Sequence, residues 1–114
     1  PSIHPMNIHP EFHRFLPRRD KEKLLRQRGM VVWLCGLSGS GKSTIANAAE
    51  RVLYQQGRFT AILDGDNLRT GLTRDLGFSA EDRGESVRRA SEVAALFNEA
   101  GIITVVTLIS RKKI

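Results

Sequence analysis

The chain has 114 residues, 40% hydrophobic and 26% charged, with a formal net charge of +6, a size and composition that suit one globular domain and exclude a disordered chain. No apolar run approaches the roughly 20 residues a membrane-crossing helix needs, and the opening PSIHPMNIHPEF has no apolar stretch of signal-peptide type, so the expected address is cytoplasmic, with no membrane partner. Residues 1–28 carry a net +4 and Arg111-Lys112-Lys113 a further +3, whereas residues 29–110 sum to −1; a basic face for nucleic acid is therefore not expected on the body of the domain.

In chain order, residues 1–19 are rich in Pro and His and read as an extended arm, in which His4, His9 and His13 are not expected to converge on a metal. Asp20 caps a short helix, KEKLLRQR, that ends before Gly29. The division expected is an arm and helix over 1–28 and the domain proper over 29–114. Residues 30–35 are a near-continuous apolar strand, which predicts burial on both faces, with the single cysteine, Cys35, as a small buried hydrophobe at its end. STIANAAERVLYQQ has helical spacing, with Ile45, Ala48, Ala49, Val52 and Leu53 on one side, and Gly57 stops it. FTAIL (59–63) is a second strand, and DGDNLRTGLTRDLGF a polar loop with room for a helical turn. Ser79 with Asp82 forms a capping box opening a long helix to Ala100, and Gly101 ends it. IITVVTLI (102–109) is a third strand.

Strand, helix, strand, helix, strand is α/β with a parallel sheet, here a three-layer α/β/α arrangement. Three strands make a thin sheet, and the sequence stops as the third ends, so a C-terminal part of the domain is expected to be missing.

Gly36-Leu37-Ser38-Gly39-Ser40-Gly41-Lys42-Ser43 matches G-x-x-x-x-G-K-[ST], followed by Thr44. Nucleotide phosphates are anions with many acceptor oxygens. Successive backbone N–H groups at a helix start can hold them, and glycines keep side chains out of the way. In this P-loop, Lys42 reaches the outer phosphates and the Ser43 hydroxyl ligates Mg²⁺. A chance match within a Ser/Gly linker is the bland alternative; the apolar strand before and the helical pattern after argue against it. The loop predicts ATP and Mg²⁺ as cofactors.

Asp64-Gly65-Asp66-Asn67-Leu68-Arg69 follows the second strand, so in a parallel sheet it emerges on the same edge as the P-loop. Two carboxylates there can hold Mg²⁺ or take a proton from an attacking hydroxyl. Arg69 can clamp an anion. An Asx-rich turn is the bland reading of DGDN alone.

WLCGLSGSGKSTIA, LDGDNLRTGLTRDLGFSAEDRGESVRR and TLIS together resemble the adenylyl-sulfate kinases, from about Asp20 to Ser110. The resemblance implies a P-loop kinase domain over 29–114 that phosphorylates the 3′-hydroxyl of adenylyl sulfate. It implies that Asp66 and Asn67 meet the ribose, with Asp66 orienting or deprotonating the hydroxyl, and that Asp64 supports Mg²⁺. Arg69 and Arg83 would hold the phosphosulfate, Phe78 stack on the adenine, and Ile109 and Ser110 close the pocket. Ser110 matches the serine proposed as a phosphoenzyme site in bacterial members, and members are commonly dimeric. Taken alone, Phe78 reads as core, Arg83 as a surface charge and Ser110 as a strand-end serine.

Three positions depart from the family pattern. Ser86 stands where an asparagine contacts substrate, Gly84 lies inside the predicted helix, and Arg111 replaces a proline. These departures keep a nucleotide-binding module without turnover as the alternative. A P-loop kinase for another small hydroxyl substrate is a further one.

Overall fold

A computed structural model of the chain describes residues 15–36 and 41–109. In order these form α1 (Arg18–Leu25), β1 (Met30–Gly36), α2 (Lys42–Gln55), β2 (Thr60–Asp64), α3 (Gly65–Leu68), α4 (Ala80–Glu99) and β3 (Ile103–Ile109). The strands make one parallel sheet of order β1-β3-β2. Right-handed crossovers then put α2 and α4 on opposite faces. The core lies on the α4 face, where Leu63, Ala90, Ala94 and Val106 pack together with Val31, Leu68, Val93, Phe97 and Leu108 around them. Among the described residues no helix is long and apolar enough to cross a membrane.

Glycines punctuate the helices as the pattern predicts. Gly57 (φ 78°) and Gly101 (φ 80°) take the left-handed conformation just past α2 and α4. The expected Asp20 cap is displaced: Pro17 is the N-cap and Asp20 sits in the first turn, since proline's fixed φ suits a helix start.

Three expectations about burial are overturned. Continuous apolarity in 30–35 implied burial on both faces, but the doubly covered strand is β3, buried from Ile103 to Thr107. Among the described residues β1 is hydrogen-bonded to a strand on one side, and Met30, Val32 and Trp33 are exposed. Cys35, near its end, is exposed rather than buried. On α2 the inward face is turned from the one expected. Ala46 is buried and Ala49 and Leu53 half-buried, while Ile45, Ala48 and Val52 face out. The small Ala46 allows the helix to approach the sheet, and the larger side chains take the open side.

α1 is fixed to the amino edge of the sheet by polar contacts. Gln27 is buried; its amide donates to the carbonyls of Phe59 (2.9 Å) and Gly101 (2.7 Å) and its oxygen accepts from the Phe59 N–H at 2.8 Å. Arg18 donates to Glu22 (3.0 Å), the Gly29 carbonyl (2.8 Å) and Asn98 Oδ1 (3.0 Å). Glu22 accepts from the Gly29 N–H at 2.7 Å, and this bond, with Arg18 beside it, holds its carboxyl below the usual range. Gly29 is required by proximity, because a Cβ there would lie 2.4 Å from the Asn98 carbonyl oxygen.

Gln27→Ala would leave the buried Gly101 carbonyl and the part-buried Phe59 N–H without this partner, while the Phe59 carbonyl keeps the Ile103 N–H at 3.3 Å; it should cost about 1–3 kcal/mol in denaturant unfolding. The fully buried Thr104 hydroxyl has no hydrogen-bond partner among the described residues. Thr104→Val, measured the same way, should be neutral or stabilising.

Candidate active site

β1 ends at Gly36 and α2 starts at Lys42, so the phosphate-loop pattern falls where strand gives way to helix. Leu37, Ser38, Gly39 and Ser40 lie outside the described residues. Gly41 is the N-cap of α2 with φ 86°. A Cβ there would meet nothing within 4 Å, so conformation rather than space calls for glycine. α2 opens with no side-chain cap and no acidic residue in its first turn, whereas Asp64 caps α3 and Ser79 caps α4. The Ile45 N–H bonds back to the Gly41 carbonyl at 3.0 Å, leaving the N–H groups of Lys42, Ser43 and Thr44 without helical acceptors. A helix start of this kind receives anions, with the helix dipole in support. Lys42 is half-buried beside it; Ser43 and Thr44 are exposed.

Asp64, the last residue of β2, is level with Thr107 of β3 in the sheet register. Its Oδ1 accepts from the Thr107 hydroxyl at 2.5 Å and its Oδ2 from the Asn67 N–H at 3.3 Å. One carboxylate is thus held from two elements. Gly65 lets α3 lie close to β3, since a Cβ there would be 3.2 Å from the Thr107 carbonyl oxygen. Asp66 and Asn67 are exposed on α3. Thr107 falls in the TLIS phrase yet carried no expected role. Its sequence signal is that it is one of two hydroxyl residues, with Thr104, in an otherwise apolar strand, and the one nearer the carboxyl end.

Beyond α3 the chain turns back on itself. The Arg69 guanidinium lies over the Phe78 ring, 4.0 Å from its centroid, and also reaches the Leu76 carbonyl at 3.5 Å. Arg83 donates to the Phe78 carbonyl at 2.5 Å. Arg69, Phe78 and Arg83, separated in sequence, therefore form one group, with the Phe78 ring exposed. Ser86 is half-buried one turn further along α4. Half of the expected capping box is present: the Asp82 N–H donates to Ser79 Oγ at 3.1 Å. The other half is redirected, since the Asp82 carboxylate accepts from the Gly77 N–H at 2.6 Å and so anchors the loop rather than the cap. Ile109 ends β3, level with Gly36; its side chain, and Ser110, lie outside the described residues.

Arg89, unremarked in the sequence, fastens this loop to α4. It donates to the Leu72 carbonyl (2.9 Å), to both Asp75 oxygens (2.7 and 3.1 Å) and to Glu85 (2.8 Å). Arg88 adds bonds of 2.8 and 2.9 Å to Glu85. The Arg88 bonds, then those of Arg89, pull the Glu85 carboxyl down to about 2, and Arg89 lowers Asp75. The i, i+3 and i, i+4 spacing of Glu85 to Arg88 and Arg89 was the available signal.

Among the described residues no three of His, Cys, Asp and Glu cluster as a metal cage. Ser43 and Asp64 offer one hydroxyl and one carboxylate, a donor set that suits Mg²⁺ completing its shell with water and phosphate oxygens.

The profile of the adenylylsulphate kinase family matches residues 28–113. An adenylyl-sulfate kinase of Phocaeicola vulgatus is 59% identical over 104 residues, covering 91% of this chain and 51% of the relative. The chain thus spans about half the length of the curated relatives it matches. An APS kinase of Mycobacterium tuberculosis, solved in complex with AMPPNP and APS, superposes with a TM-score of 0.68 at 52% identity, covering 70% of this chain and 46% of that one. A hexameric APS kinase of Thiobacillus denitrificans gives 0.64 at 38% identity, covering 79% and 20%.

Glu85 is depressed from the usual 4.5 to about 2 on folding, so its contribution is present above 4.5 and fades as pH falls towards 2. The melting temperature should drop across that window. Arg89→Met should flatten the drop and speed amide exchange at Gly77, measured by hydrogen-exchange mass spectrometry.

Proposed function

The chain belongs to the adenylylsulphate kinase family, and on that premise we propose that its site passes the γ-phosphoryl group of ATP to the 3′-hydroxyl of adenylyl sulfate, giving 3′-phosphoadenylyl sulfate. The observation that carries this is the assembly on one sheet edge of an uncapped, glycine-started helix, a carboxylate locked by Thr107 and Asn67, and the Arg69–Phe78–Arg83 group.

In this reading the loop of Gly36, Leu37, Ser38, Gly39, Ser40 and Gly41, with Thr44 after it, cradles the phosphates, and Lys42 holds the outer ones. Ser43 and Asp64 would hold Mg²⁺, which supplies positive charge to the phosphate oxygens. Asp66 orients the acceptor hydroxyl and takes its proton as the new O–P bond forms and the bond to the β-phosphate oxygen breaks, releasing ADP. Asn67 and Ser86 meet the acceptor nucleotide, Arg69 and Arg83 its phosphosulfate, and Phe78 its adenine. Ile109 and Ser110 would close the pocket. A serine at 86 is shorter than asparagine and offers no amide donor, which should weaken acceptor binding.

The single cysteine, unable to form an intrachain disulfide, fits a cytoplasmic setting. Self-association as a homodimer belongs to the same reading, with the exposed Ile45, Val52 and Tyr54 of α2 as available surface. Nucleic acid and membrane have no part in it. One observation favours a second reading, a nucleotide-binding unit without turnover: half-buried Ser86 offers no amide donor at a position expected to meet the acceptor.

Incubation with γ-labelled ATP, Mg²⁺ and adenylyl sulfate should label 3′-phosphoadenylyl sulfate, and Lys42→Ala should cut that label by about a hundredfold or more. Label unchanged in Lys42→Ala would sink the assignment, and nucleotide binding without product would establish the second reading. Thr107→Val should weaken Mg²⁺-dependent ATP binding about 10- to 100-fold. Calorimetry should show Mg²⁺-free binding unaltered.

A further inference from the structure

The amino edge of the sheet, opposite the phosphate loop, carries a hollow of about 730 Å³, within the size range of small-ligand sites. Gln27, Met30 and Ile103 line it where the strands begin, and five cations surround it: Arg19, Lys23, Arg26, Arg28 and Arg58. The fifth comes from a different part of the chain, the turn between α2 and β2, and its guanidinium donates to the Arg26 carbonyl. Arg26 holds φ 57°, a conformation long side chains rarely adopt. Here it is fixed by its N–H bond to the Lys23 carbonyl at 3.2 Å.

The charge of these five is compensated only in part, by the attraction between Arg28 and Glu22. The carboxylate in the hollow, Glu22, is already bonded to the Gly29 N–H and to Arg18. Among the described residues none of the five forms an ion pair; the ion pairs there belong to Arg18, Arg88 and Arg89. Like charges gathered around a concavity repel one another and favour a counter-anion.

We propose that this hollow binds a small polyvalent phosphate anion, either the phosphate chain of a nucleotide or inorganic polyphosphate, at a site separate from the phosphate loop. Four of the five cations are arginines, whose planar forks match phosphate oxygens. The seven residues of β1, at about 3.3 Å each, separate the two ends of the sheet by about 20 Å, so one phosphate chain does not occupy both. Residues 29–110 sum to −1, which provides no track along which a nucleic-acid backbone would continue beyond the hollow. A bound anion would join α1 to the α2–β2 turn across their mutual repulsion.

The test is calorimetry at physiological salt on the Lys42→Ala chain, in which the phosphate loop is disabled, with inorganic tripolyphosphate and ATP as separate probes. The Arg19 and Lys23 side chains make no hydrogen bond or ion pair among the described residues, so Arg19→Gln with Lys23→Gln is expected to leave the fold intact, checked by an unchanged circular dichroism spectrum. Stoichiometric binding to Lys42→Ala, weakened about tenfold or more by the added double substitution, is the expected result. Equal affinity for the two probes assigns recognition to the phosphate chain alone; ATP without tripolyphosphate adds contacts to the nucleoside. Binding of neither probe, an affinity indifferent to the double substitution, or binding of a single-stranded oligonucleotide alone would overturn the proposal. The measurement involves no turnover, so it stands or falls independently of the kinase reading.

Discussion

Everything in this molecule hangs on one strand. β3 is hydrogen-bonded on both sides, and β1 and β2 meet it but not each other. Thr104, Val106 and Thr107 are fully buried within it. Parallel pairing sends every strand out on the same edge, which brings Gly36 and Asp64 to one side although 27 intervening residues separate them. Strand alternation then divides the work. Val106 and Leu63 share the core with α4, while the next level pairs Thr107 with Asp64. A slip of one residue would turn the Thr107 hydroxyl away from that carboxylate and put an apolar side chain there.

Arginine is used in three ways, set by what surrounds each guanidinium. Arg18 and Arg89 are struts, with their donors spent on carboxylates and carbonyls, and each ties together segments far apart in sequence. Arg69 rests on an aromatic face, where the ring's negative quadrupole attracts it without fully removing it from water. Among the described residues the arginines of the amino-edge hollow form neither an ion pair nor a ring contact, although Glu22 lies in the same hollow. A simple count of charge cannot separate these cases, since the net charge of +6 is the same whichever side chains are neutralised.

The element order, the parallel sheet and the glycine stops were legible because they rest on short-range rules. Gly57 and Gly101 follow helical patterns, and Ser79 precedes one. The phosphate loop was legible for the same reason. Depth was not. An apolar run such as 30–35 shows that a strand is present, but its neighbours decide whether it is central, and β3 took that place. The inward face of α2 was only partly legible because Ile45, Ala48 and Val52 share a helical stripe with Ala49 and Leu53, and spacing alone does not say which edge of the stripe meets the sheet. The roles of Thr107 and Arg89 arise from partners 43 and 14 residues away, distances at which sequence spacing carries no geometric information. Arg69, Phe78 and Arg83 were found through family resemblance; their grouping is a tertiary fact.

The strand at the centre of the sheet is also the last of the three in the chain. β1 and β2 cannot form a ladder until Ile103–Ile109 has joined them. On a ribosome, which supplies residues from the amino end, α2 can coil as it appears because its bonds are local, but both earlier strands must wait with open edges. Met30 finally pairs with Ile103 and Thr60 with the same residue, closing spans of 73 and 43 residues. Loop entropy separates those two events by only about 0.5 kcal/mol. Neither outer strand therefore has a decisive lead, and the phosphate loop and its opposing carboxylate come into register as parts of one late step.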